Sequence, residues 1–296
     1  MHEDELEIGV DLVRRLIDEQ FPQWSALPVR AAATAGTVNA IFRMGDLLAA
    51  RFPLRAADPN TVRDWLTREA DAAAEFAKIS HIPGPEPVAL GEPGDGYRLP
   101  WAVQTWLAGH DAVAEDPASS DAFADDLVEL LTCLRTADTH GRTFTGAGRG
   151  GHLTDHDDWM SLCFEKSAQL LDVSRLRALW QELRTLPEID DDAMCHGDLT
   201  PTNMLVNAGR LVGVLDTGGF AAADPALDLV SVWHLLDGGR RERVRESLGC
   251  RDVQWRRGMA WALEQAMGLV WYYASTNPVM STWGRRTLDR LLASTE

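Results

Sequence analysis

Between two short apolar runs of the chain lies the sequence CHGDLTPTN, Cys195–Asn203, and the next apolar run ends in VLDTGG, Val214–Gly219. Asp198 and Asn203 share the first turn, and Asp216 follows on the second. Phosphoryl transfer requires a carboxylate that orients or accepts the proton of a hydroxyl group. It also requires an amide oxygen and a second carboxylate that hold Mg²⁺ against the phosphates. The residue types and their order match this chemistry, which makes these turns the predicted catalytic centre.

An HGD triplet alone is weak evidence, because an aspartate in a turn often caps its own backbone. The complete pattern, HGDLTPTN followed by LDTGG, resembles the catalytic and metal-binding loops of the aminoglycoside phosphotransferase family, whose members are related to the protein kinases. With three polar residues at the family's spacing, capping becomes the weaker interpretation. The resemblance covers nearly the whole chain through three further segments: Thr34–Arg43, Pro85–Gly91 and Asp224–Leu229.

The resemblance implies a role for each polar residue of this region. It implies that Asp198 is the catalytic base, that Asn203 and Asp216 are ligands of Mg²⁺, and that the chain binds ATP or GTP. His196 would brace the catalytic loop, and Asp228 would tie the following helix to it; an exposed helix charge is the alternative for Asp228. The implied fold is a protein-kinase-like, two-lobed α/β (α+β) fold with a small antiparallel-sheet N-terminal lobe and a larger, mostly helical C-terminal lobe.

The spacing of apolar residues divides the chain into two regions. Helix and strand patterns alternate up to Leu107, and helical spacing dominates afterwards, apart from a strand-rich island around the two turns. We therefore predict a nucleotide-binding lobe over 1–107 and a catalytic and acceptor-binding lobe over 108–296. The principal elements expected are helices over 6–21, 58–78, 123–134, 155–171, 173–183 and 255–273 and strands over 29–34, 40–44, 47–52, 101–107, 194–196, 204–206 and 211–215.

Arg51 and Glu69 are the pair expected to fix the nucleotide phosphates. Kinases place a cation on the third strand of the first lobe and hold it with a glutamate from a helix. Arg51 ends the third strand pattern, where most members of the wider kinase group carry lysine. Glu69 falls on the apolar face of the helix 58–78, where a lone carboxylate needs a partner, whereas Glu75 lies off that face. A surface arginine and a snorkelling glutamate are the alternative.

Two weaker signals complete the expected nucleotide site. The turn between the first two strands carries Gly36, Thr37 and Asn39, which could donate hydrogen bonds to phosphates, although one glycine in a hairpin usually only makes the turn. The strand ending near Thr105 and Leu107 would be the hinge between the lobes, where backbone groups read the purine edge. A strand in the core is an equal interpretation.

Acidic and aromatic residues of the second lobe are the candidates for binding the acceptor. They are Asp155, Asp157, Asp158, Glu264 and Trp271. Runs of like charge are most often solvated faces, and an aromatic-rich helix more often belongs to the core than to a binding site. A cationic acceptor would nevertheless suit these carboxylates.

The composition of the chain limits which binding partners and which cellular compartment are expected. It carries 45 acidic and 28 basic residues and a formal net charge of −17, which repels nucleic acid and anionic membranes. No apolar stretch reaches the ~18 residues of a membrane helix, and the acidic N-terminus is unlike a signal peptide. The cysteines form no CxxC pair, which argues against zinc and a disulfide framework. We expect a soluble cytoplasmic protein without nucleic-acid or membrane partners.

The predicted function is transfer of the γ-phosphate of ATP or GTP to a hydroxyl group of a small molecule. An aminoglycoside-like cation is the favoured acceptor, and the resemblance alone raises antibiotic resistance as a role. A macrolide, a sugar or an amino alcohol is the enzymatic alternative. The other alternative is a nucleotide-binding protein without activity, which Arg51 and Thr217 favour, because Thr217 stands where the family often has an aromatic residue. Retention of Asp198, Asn203 and Asp216 together opposes the inactive alternative, because a protein that only binds nucleotide needs no base.

Overall fold

The computed structural model describes residues 6, 8–32, 39–146, 148–188 and 190–294 of the chain. Within these residues the backbone forms two compact units. The first unit consists of the segments Met1–Lys78, Pro83–Ala108 and Leu215–Gly219, and the second consists of Ile79–Ile82, Gly109–Val214 and Phe220–Glu296. The expected limits of the two lobes, 1–107 and 108–296, stay a prediction.

An antiparallel sheet is the centre of the first unit. In the described residues its strands are β1 (Val29–Ala31), β2 (Asn39–Met44), β3 (Leu48–Pro53), β4 (Pro87–Gly91) and β5 (Trp101–Thr105), in the spatial order β1-β2-β3-β5-β4. A tight turn at Gly45 joins β2 to β3, and its φ of 60° lies in the left-handed region that glycine adopts without strain. The strands predicted in this region are confirmed, although β1 and β5 end earlier than the apolar pattern suggested.

The helices of the first unit are α1 (Val10–Gln20) and α2 (Pro59–Ile79) in the described residues. α2 begins where the sequence predicted, because Asp58 caps it. The Asp58 carboxylate accepts the N–H group of Thr61 at 2.9 Å, and proline occupies the first helical position. α2 therefore has a defined start, which sets the face on which Glu69 lies.

Aromatic side chains form much of the core of the first unit. Phe52 of β3 stacks on Trp101 of β5 with ring centroids 4.7 Å apart, and Tyr97 meets Phe52 edge-on at 5.2 Å. The hydroxyl group of Tyr97 donates to the carbonyl group of Pro53 at 2.8 Å, so its polar end is satisfied. Such aromatic pairs contribute about 0.5–1.5 kcal/mol beyond the area that they bury. This packing fixes β3, the strand that carries Arg51.

Helices and short strands make up the second unit. In the described residues the helices are α3 (Asp121–Thr136), α4 (Asp157–Ser167), α5 (Val173–Leu183), α6 (Val230–Leu235), α7 (Gly238–Ser247), α8 (Asp252–Tyr272) and α9 (Pro278–Ala293). The strands are β6 (His110–Asp111), β7 (Ala193–Cys195), β8 (Met204–Asn207), β9 (Arg210–Val214) and β10 (Ala221–Ala223), in the sheets β6-β8-β9 and β10-β7. β6 and β10 escaped prediction because tertiary pairing, and no local pattern, defines such short strands. Across the described residues no helix has the length and apolar character of a bilayer crossing.

α8 and α9 pack closely in the second unit. Gly284 of α9 permits the approach, because a Cβ atom there would lie 2.8 Å from the carbonyl oxygen of Ala266 in α8. This contact fixes the position of α8, which carries Glu264 and Gln265. As the sequence predicted, the buried side of α8 includes residues four apart: Trp255, Met259, Leu263 and Met267.

The hairpin of β8 and β9 supports the predicted catalytic turn. Ala208 and Gly209 at its tip have φ angles of 52° and 70°, the positive values that a type I′ hairpin turn requires. The stretch Cys195–Asn203 runs from the end of β7 to the start of β8, the first strand of this hairpin. It is called the catalytic loop below.

Candidate active site

Asp228 anchors the catalytic loop in the second unit. Its carboxylate is 2% exposed and accepts the backbone N–H groups of His196 at 2.8 Å and Gly197 at 2.9 Å. Burial raises the pKa of Asp228, while His196 and the two N–H groups oppose the rise by stabilising the ionised form. Within the loop, the N–H group of Asp198 donates to Nδ1 of buried His196 at 3.2 Å. Asp228 and His196 thus both bond to the backbone of the catalytic loop, and the supporting roles that the resemblance implies stay predictions.

Three side chains hold the carboxylate of Asp198. Oδ1 accepts hydrogen bonds from Nη2 of Arg149 at 2.8 Å and from Nε2 of Gln265 at 2.7 Å, and Oδ2 accepts one from Nδ2 of Asn203 at 3.0 Å. The donors come from the loop before α4, from α8 and from the catalytic loop itself. They fix the plane of the carboxylate, while 40% of the Asp198 side chain remains exposed.

Asn203 is oriented by the same residue. Its Nδ2 atom donates to the backbone carbonyl of Asp198 at 2.9 Å as well as to the Asp198 carboxylate. Because the amide nitrogen faces Asp198, the amide oxygen Oδ1 points to the opposite side. An oxygen fixed in this way suits a hard cation such as Mg²⁺.

Gln265 connects Asp198 to a buried histidine. Oε1 of Gln265 lies 2.9 Å from Nε2 of His234, and Nδ1 of His234 lies 2.8 Å from Oγ1 of Thr287. Burial lowers the pKa of His234 to about 4, so the ring is neutral near neutral pH. Because a carboxylate only accepts hydrogen bonds, Nε2 of Gln265 must face Asp198. His234 then carries its proton on Nε2 and accepts from Thr287.

Glu264 lies beside the base on α8. It is buried, its Oε1 atom is 3.0 Å from Nδ1 of His156, and its Oε2 atom is 3.9 Å from Nη1 of Arg149. The hydrogen bond to Glu264 raises the pKa of His156, although burial opposes the rise. Arg149 therefore lies between two carboxylates, those of Asp198 and Glu264.

Arg51 and Glu69 meet in the first unit, as the sequence reasoning required. Nη1 of Arg51 lies 3.4 Å from Oε2 of Glu69 and 3.5 Å from Oε1 of Gln104, and Nη2 lies 3.7 Å from Oδ1 of Asp216. Burial raises the pKa of Glu69, the Arg51 charge lowers it, and the Asp216 charge raises it again. The guanidinium group of Arg51 thus joins β3, α2 and the segment after β9.

The LDTGG segment packs tightly on α2. Asp216 itself adopts a φ of 59°, an uncommon backbone conformation for a residue with a side chain. A Cβ atom on Gly218 would lie 2.9 Å from both Cβ and Cγ of Glu69, so glycine is required there. This turn therefore presents Asp216 while leaving Glu69 free to reach Arg51.

The remaining nucleotide candidates are placed only in part. Gly36 and Thr37 lie outside the described residues. Asn39 begins β2, and its Oδ1 atom is buried without a hydrogen-bond partner within the described part of the chain. Such an atom keeps an unmet requirement for a donor.

The proposed hinge begins at the end of β5. The N–H group of Thr105 donates to the carbonyl of Glu86 at 2.9 Å, and its hydroxyl group accepts from the N–H group of Glu86 at 2.9 Å. These bonds join Thr105 to the segment before β4, so its side chain serves the sheet. Leu107 follows the strand, and its contact with a nucleotide stays a prediction.

The three aspartates before and within α4, Asp155, Asp157 and Asp158, differ in their exposure and their contacts. Asp157 accepts hydrogen bonds from Nε1 of Trp180 at 2.9 Å and from Nε of Arg184 at 2.6 Å. The bonds to Arg184 lower the pKa of Asp157, so this carboxylate joins α4 to α5. Asp155 and Asp158 are exposed. Their contact with an acceptor stays a prediction.

Trp271 occupies a partly buried position near the end of α8. Its Nε1 atom donates to Sγ of Cys163 at 3.2 Å, and its ring centroid lies 5.9 Å from that of Trp159. Trp159 is an exposed large apolar side chain, with 37% of its surface accessible. The contact of Trp271 with an acceptor stays a prediction.

A buried ion pair of the second unit escaped the sequence reasoning. Oδ1 of Asp224 accepts the N–H group of Ala226 at 2.9 Å. Its other oxygen also accepts from Nε and Nη2 of Arg257 at 2.9 and 2.7 Å and from Nε1 of Trp261 at 2.8 Å. Asp224 therefore also ties its segment to α8. No local spacing pattern connects residues so far apart in sequence.

The antiparallel sheet of the first unit and the helices of the second unit define an α/β fold of the kinase-like class. A model of the phosphotransferase enzyme family matches residues 30–261, and the chain belongs to this family. This confirms the family resemblance predicted from the catalytic and metal-binding turns.

Curated relatives agree with this membership. The chain is similar to an aminoglycoside 3'-phosphotransferase of Escherichia coli, with 34% identity over 143 residues, 46% of this chain and 52% of that protein. It is also similar to an aminoglycoside 3'-phosphotransferase of Streptomyces fradiae, with 46% identity over 48 residues, 16% of this chain and 18% of that protein. The matched stretches thus span about half the length of these relatives or less.

Solved structures resemble the chain over nearly its full length. Aminoglycoside 2'-phosphotransferase IIIa in complex with GDP superimposes with a TM-score of 0.72 at 20% identity, over 98% of this chain and 100% of that chain. A macrolide 2'-phosphotransferase from Brachybacterium faecium gives a TM-score of 0.62 at 16% identity, over 95% and 97%. These similarities confirm the predicted fold class.

Proposed function

We propose that the protein is a small-molecule O-phosphotransferase that moves the γ-phosphate of ATP or GTP to a hydroxyl group of an acceptor. The observation that supports this function best is the environment of Asp198. Arg149, Gln265 and Asn203 fix its carboxylate, yet 40% of the side chain stays exposed. A base with a fixed orientation and open access is what proton transfer from an acceptor requires.

In this mechanism the acceptor hydroxyl donates a hydrogen bond to Oδ2 of Asp198, which aims the hydroxyl oxygen at the γ-phosphorus. The bond from this oxygen to phosphorus forms while the bond to the bridging oxygen of the leaving nucleoside diphosphate breaks, and the hydroxyl proton passes to Asp198. Arg149 and Gln265 both donate to Oδ1, whereas Oδ2 accepts one bond, from Asn203, and keeps a lone pair that can take the proton. Arg51, held by Glu69, binds the α- and β-phosphates.

Mg²⁺ is the cofactor that the family resemblance implies, and Asn203 and Asp216 are its proposed ligands. The oriented amide oxygen of Asn203 and the carboxylate of Asp216, 53% exposed, are oxygen donors of the kind that Mg²⁺ binds. In the described part of the chain, no cluster of three or more His, Cys, Asp or Glu side chains could hold a metal by itself. This agrees with an ion that takes its other ligands from phosphates and water. When bound, Mg²⁺ would offset phosphate charge.

Both ATP and GTP are candidate phosphate donors. Among the structural neighbours, aminoglycoside 2'-phosphotransferase IIIa is in complex with GDP, and an aminoglycoside 2''-phosphotransferase IIa is in complex with ATP and streptomycin. Initial rates with each nucleotide at the same acceptor concentration distinguish the two donors.

Two classes of acceptor have support from different observations. The names of the curated relatives favour an aminoglycoside-like cation. A macrolide, a sugar or an amino alcohol is the alternative, and the pairing of acidic side chains in the second unit favours it. Asp157 contacts Arg184 and Oε1 of Glu264 contacts His156, so these groups already have partners, whereas Oε2 of Glu264 is buried without a hydrogen-bond partner among the described residues.

A nucleotide-binding protein without catalytic activity is the rival function. Arginine at position 51 and threonine at position 217 motivate it. The Arg51–Glu69 contact opposes the inactive alternative, because Arg51 contacts the helix glutamate as the usual lysine of kinases would. Arginine presents a planar fork that grips phosphate oxygens in pairs, so the exchange alters the nucleotide's pose without removing the charge.

Asp198→Asn tests the proposal with labelled nucleotide and a panel of aminoglycoside, macrolide, sugar and amino-alcohol acceptors. We expect kcat to fall about 10²-fold or more, while the Kd for Mg-nucleotide changes little. Asp125→Asn removes an exposed carboxylate of α3 that pairs with Arg243, and it serves as the matched control. Binding of Mg-nucleotide by the unmodified protein without transfer to any acceptor would establish the inactive rival instead.

A further inference from the structure

His156 is a buried titratable residue to which the proposed mechanism gives no role. It ends the 3-10 turn Leu153–His156, directly before α4. Its Nδ1 atom lies 3.0 Å from Oε1 of Glu264 in α8. Its ring also meets the ring of Trp261, on the same helix, edge to face, with centroids 5.1 Å apart and planes at 86°. These two contacts with α8 fix the orientation of the imidazole ring.

Glu264 faces a cationic side chain at each of its carboxylate oxygens. Oε1 meets His156, and Oε2 lies 3.9 Å from Nη1 of Arg149. Glu264 is 5% exposed, and Oε2 accepts no hydrogen bond from the residues that the structure describes. A carboxylate removed from water needs charged partners nearby. Because His156 holds Oε1, the other oxygen is directed at Arg149.

The backbone on both sides of Arg149 is anchored. The ring of His156 forms a hydrogen bond with the backbone of Gly148, the residue before Arg149. The carbonyl group of Gly150, the residue after it, accepts the N–H group of Asp224 at 2.9 Å. His156 therefore acts on Arg149 in two ways, through the carboxylate that both side chains face and through the main chain.

Charges alternate along this series of contacts, from His156 through Glu264 and Arg149 to Asp198. The hydrogen bond to Glu264 raises the pKa of His156, while burial and the charge of Arg149 oppose the rise. Asp157, the next residue in the chain, also lies near the ring, whose charge helps to lower the pKa of that aspartate. A protonated ring completes the alternation, whereas a neutral ring leaves two carboxylates with one cation between them.

We propose that His156 is a positioning residue for the candidate base Asp198. Its ring holds Glu264 beside Arg149, and this arrangement keeps the guanidinium group of Arg149 on the carboxylate of the base, 2.8 Å from Oδ1. This inference rests on the proposed phosphotransfer and adds to it a residue that does not touch the substrate. Loss of any member of the series would loosen the base, and small displacements of a catalytic group slow a reaction strongly.

His156→Phe tests the proposal by steady-state kinetics. Phenylalanine keeps a ring against Trp261 and removes the group that bonds to Glu264. We expect kcat to fall about tenfold, as for a small displacement of the base, while the KM values for acceptor and nucleotide change little. His152→Phe is the matched control, because this histidine precedes the same turn and pairs with Glu188, yet 70% of its side chain is exposed. Its kcat should match that of the unmodified protein.

A double-mutant cycle separates positioning from a general effect on the structure. In an Arg149→Met background, His156→Phe should lower kcat no further, because the residue through which it acts is already absent. Independent effects on a rate multiply, whereas effects that pass through one shared residue do not. A loss in the double variant equal to the product of the two single losses would overturn the proposal.

Glu264→Gln provides the same test if His156→Phe does not fold. Glutamine has the size of glutamate and can still accept a hydrogen bond from His156, but it removes the charge that faces Arg149. We expect kcat to fall about tenfold here as well. A rise in the KM for the acceptor at unchanged kcat would instead assign Glu264 to acceptor binding and overturn the proposal.

A measurement that needs no turnover follows the same coupling in the opposite direction. Coupling between two sites is reciprocal, so Asp198 must influence the proton affinity of His156. In Asp198→Asn, Arg149 loses its charged partner and can move toward Glu264, which weakens the hold of that carboxylate on the ring. The pKa of His156, followed by NMR titration of the ring, should therefore fall. In an Arg149→Met background the same substitution should leave this pKa nearly unchanged.

The proposal is overturned if kcat is unchanged in His156→Phe, or if the pKa of His156 shifts equally with and without Arg149. Loss of transfer in Asp198→Asn but not in His156→Phe would leave the proposed function standing and remove the positioning role. If the unmodified protein phosphorylates no acceptor, the proposed function is refuted. The NMR titrations alone then decide whether His156 and Asp198 are coupled.

Discussion

Nε2 of Gln265 donates a 2.7 Å hydrogen bond to Oδ1 of Asp198, so a residue of α8 orients the candidate base on the catalytic loop. Oε1 of the same amide meets His234, which fixes the amide in one orientation. Because both ends of Gln265 are engaged, its loss would release the Asp198 carboxylate rather than only weaken one contact. Gln265 therefore acts as a positioning residue.

Gln265→Leu keeps the approximate size of this side chain and removes both hydrogen-bonding groups. We expect kcat to fall about tenfold to 10²-fold, because a small displacement of a catalytic group has effects of this size. The KM for nucleotide should change little. Steady-state kinetics measures both constants. Gln254→Leu, on the same helix but outside the base's hydrogen bonds, is the control, and an equal loss in both variants would contradict the positioning role.

Arg51→Met tests the nucleotide role of the first unit. It removes the charge that Glu69 and Asp216 face, so both the phosphate contact and the balance of charge around the buried glutamate are lost. We expect Mg-nucleotide to bind at least about tenfold more weakly, since hydrogen bonds to charged groups contribute about 1.5–3 kcal/mol. Calorimetric titration without acceptor measures this Kd.

The control for Arg51 is a second arginine of the same sheet. Arg43→Met on β2 removes a guanidinium group that contacts the exposed Asp46 at 2.9 Å. Nucleotide affinity should be unchanged in this variant. Arg51→Lys should retain most of the affinity, because lysine is the usual residue of the wider kinase group. Full affinity in Arg51→Met would remove Arg51 from the nucleotide site.

The sequence predicted those parts of the site that lie close together along the chain. Asp198 and Asn203 share one turn whose residue types carry the chemistry, so residue type and spacing, together with the family resemblance, identified them. Glu69 was found because α2 has a clear apolar face, on which a carboxylate requires a partner. Asp58 likewise marked the start of that helix through its capping position.

The residues that the sequence did not reveal act across long separations. Gln265 and His234 lie on α8 and α6, and no periodic pattern distinguishes an amide that faces a catalytic carboxylate from one in the core. Arg149 had one local signal, a lone charge among glycines in the loop before α4. Such a pattern predicts a loop, but it does not predict which residue Arg149 contacts.

Arg149→Met examines the guanidinium group between Asp198 and Glu264. Its removal leaves the two carboxylates without their shared cation. We expect kcat to fall about tenfold or more, because Asp198 loses one of the three donors that fix its carboxylate. Steady-state kinetics measures kcat, and calorimetric titration should show an unchanged Kd for Mg-nucleotide. An unchanged kcat would show that Arg149 does not position Asp198.

Burial of His234 should make the protein sensitive to acid. Its pKa is lowered from 6.5 to about 4, so the unfolded chain binds a proton in the pH interval in which the folded protein does not. The stability that depends on this group is complete above pH 6.5 and is lost as the pH falls toward 4, by about 3 kcal/mol in total. Urea unfolding between neutral pH and about pH 4 measures the loss, which should be smaller in His234→Gln because glutamine does not titrate.

His140→Gln is the control, at a site where 70% of the side chain is exposed, and this variant should keep the full loss of stability. Identical pH dependence in His234→Gln and the unmodified protein would mean that other groups cause the acid sensitivity.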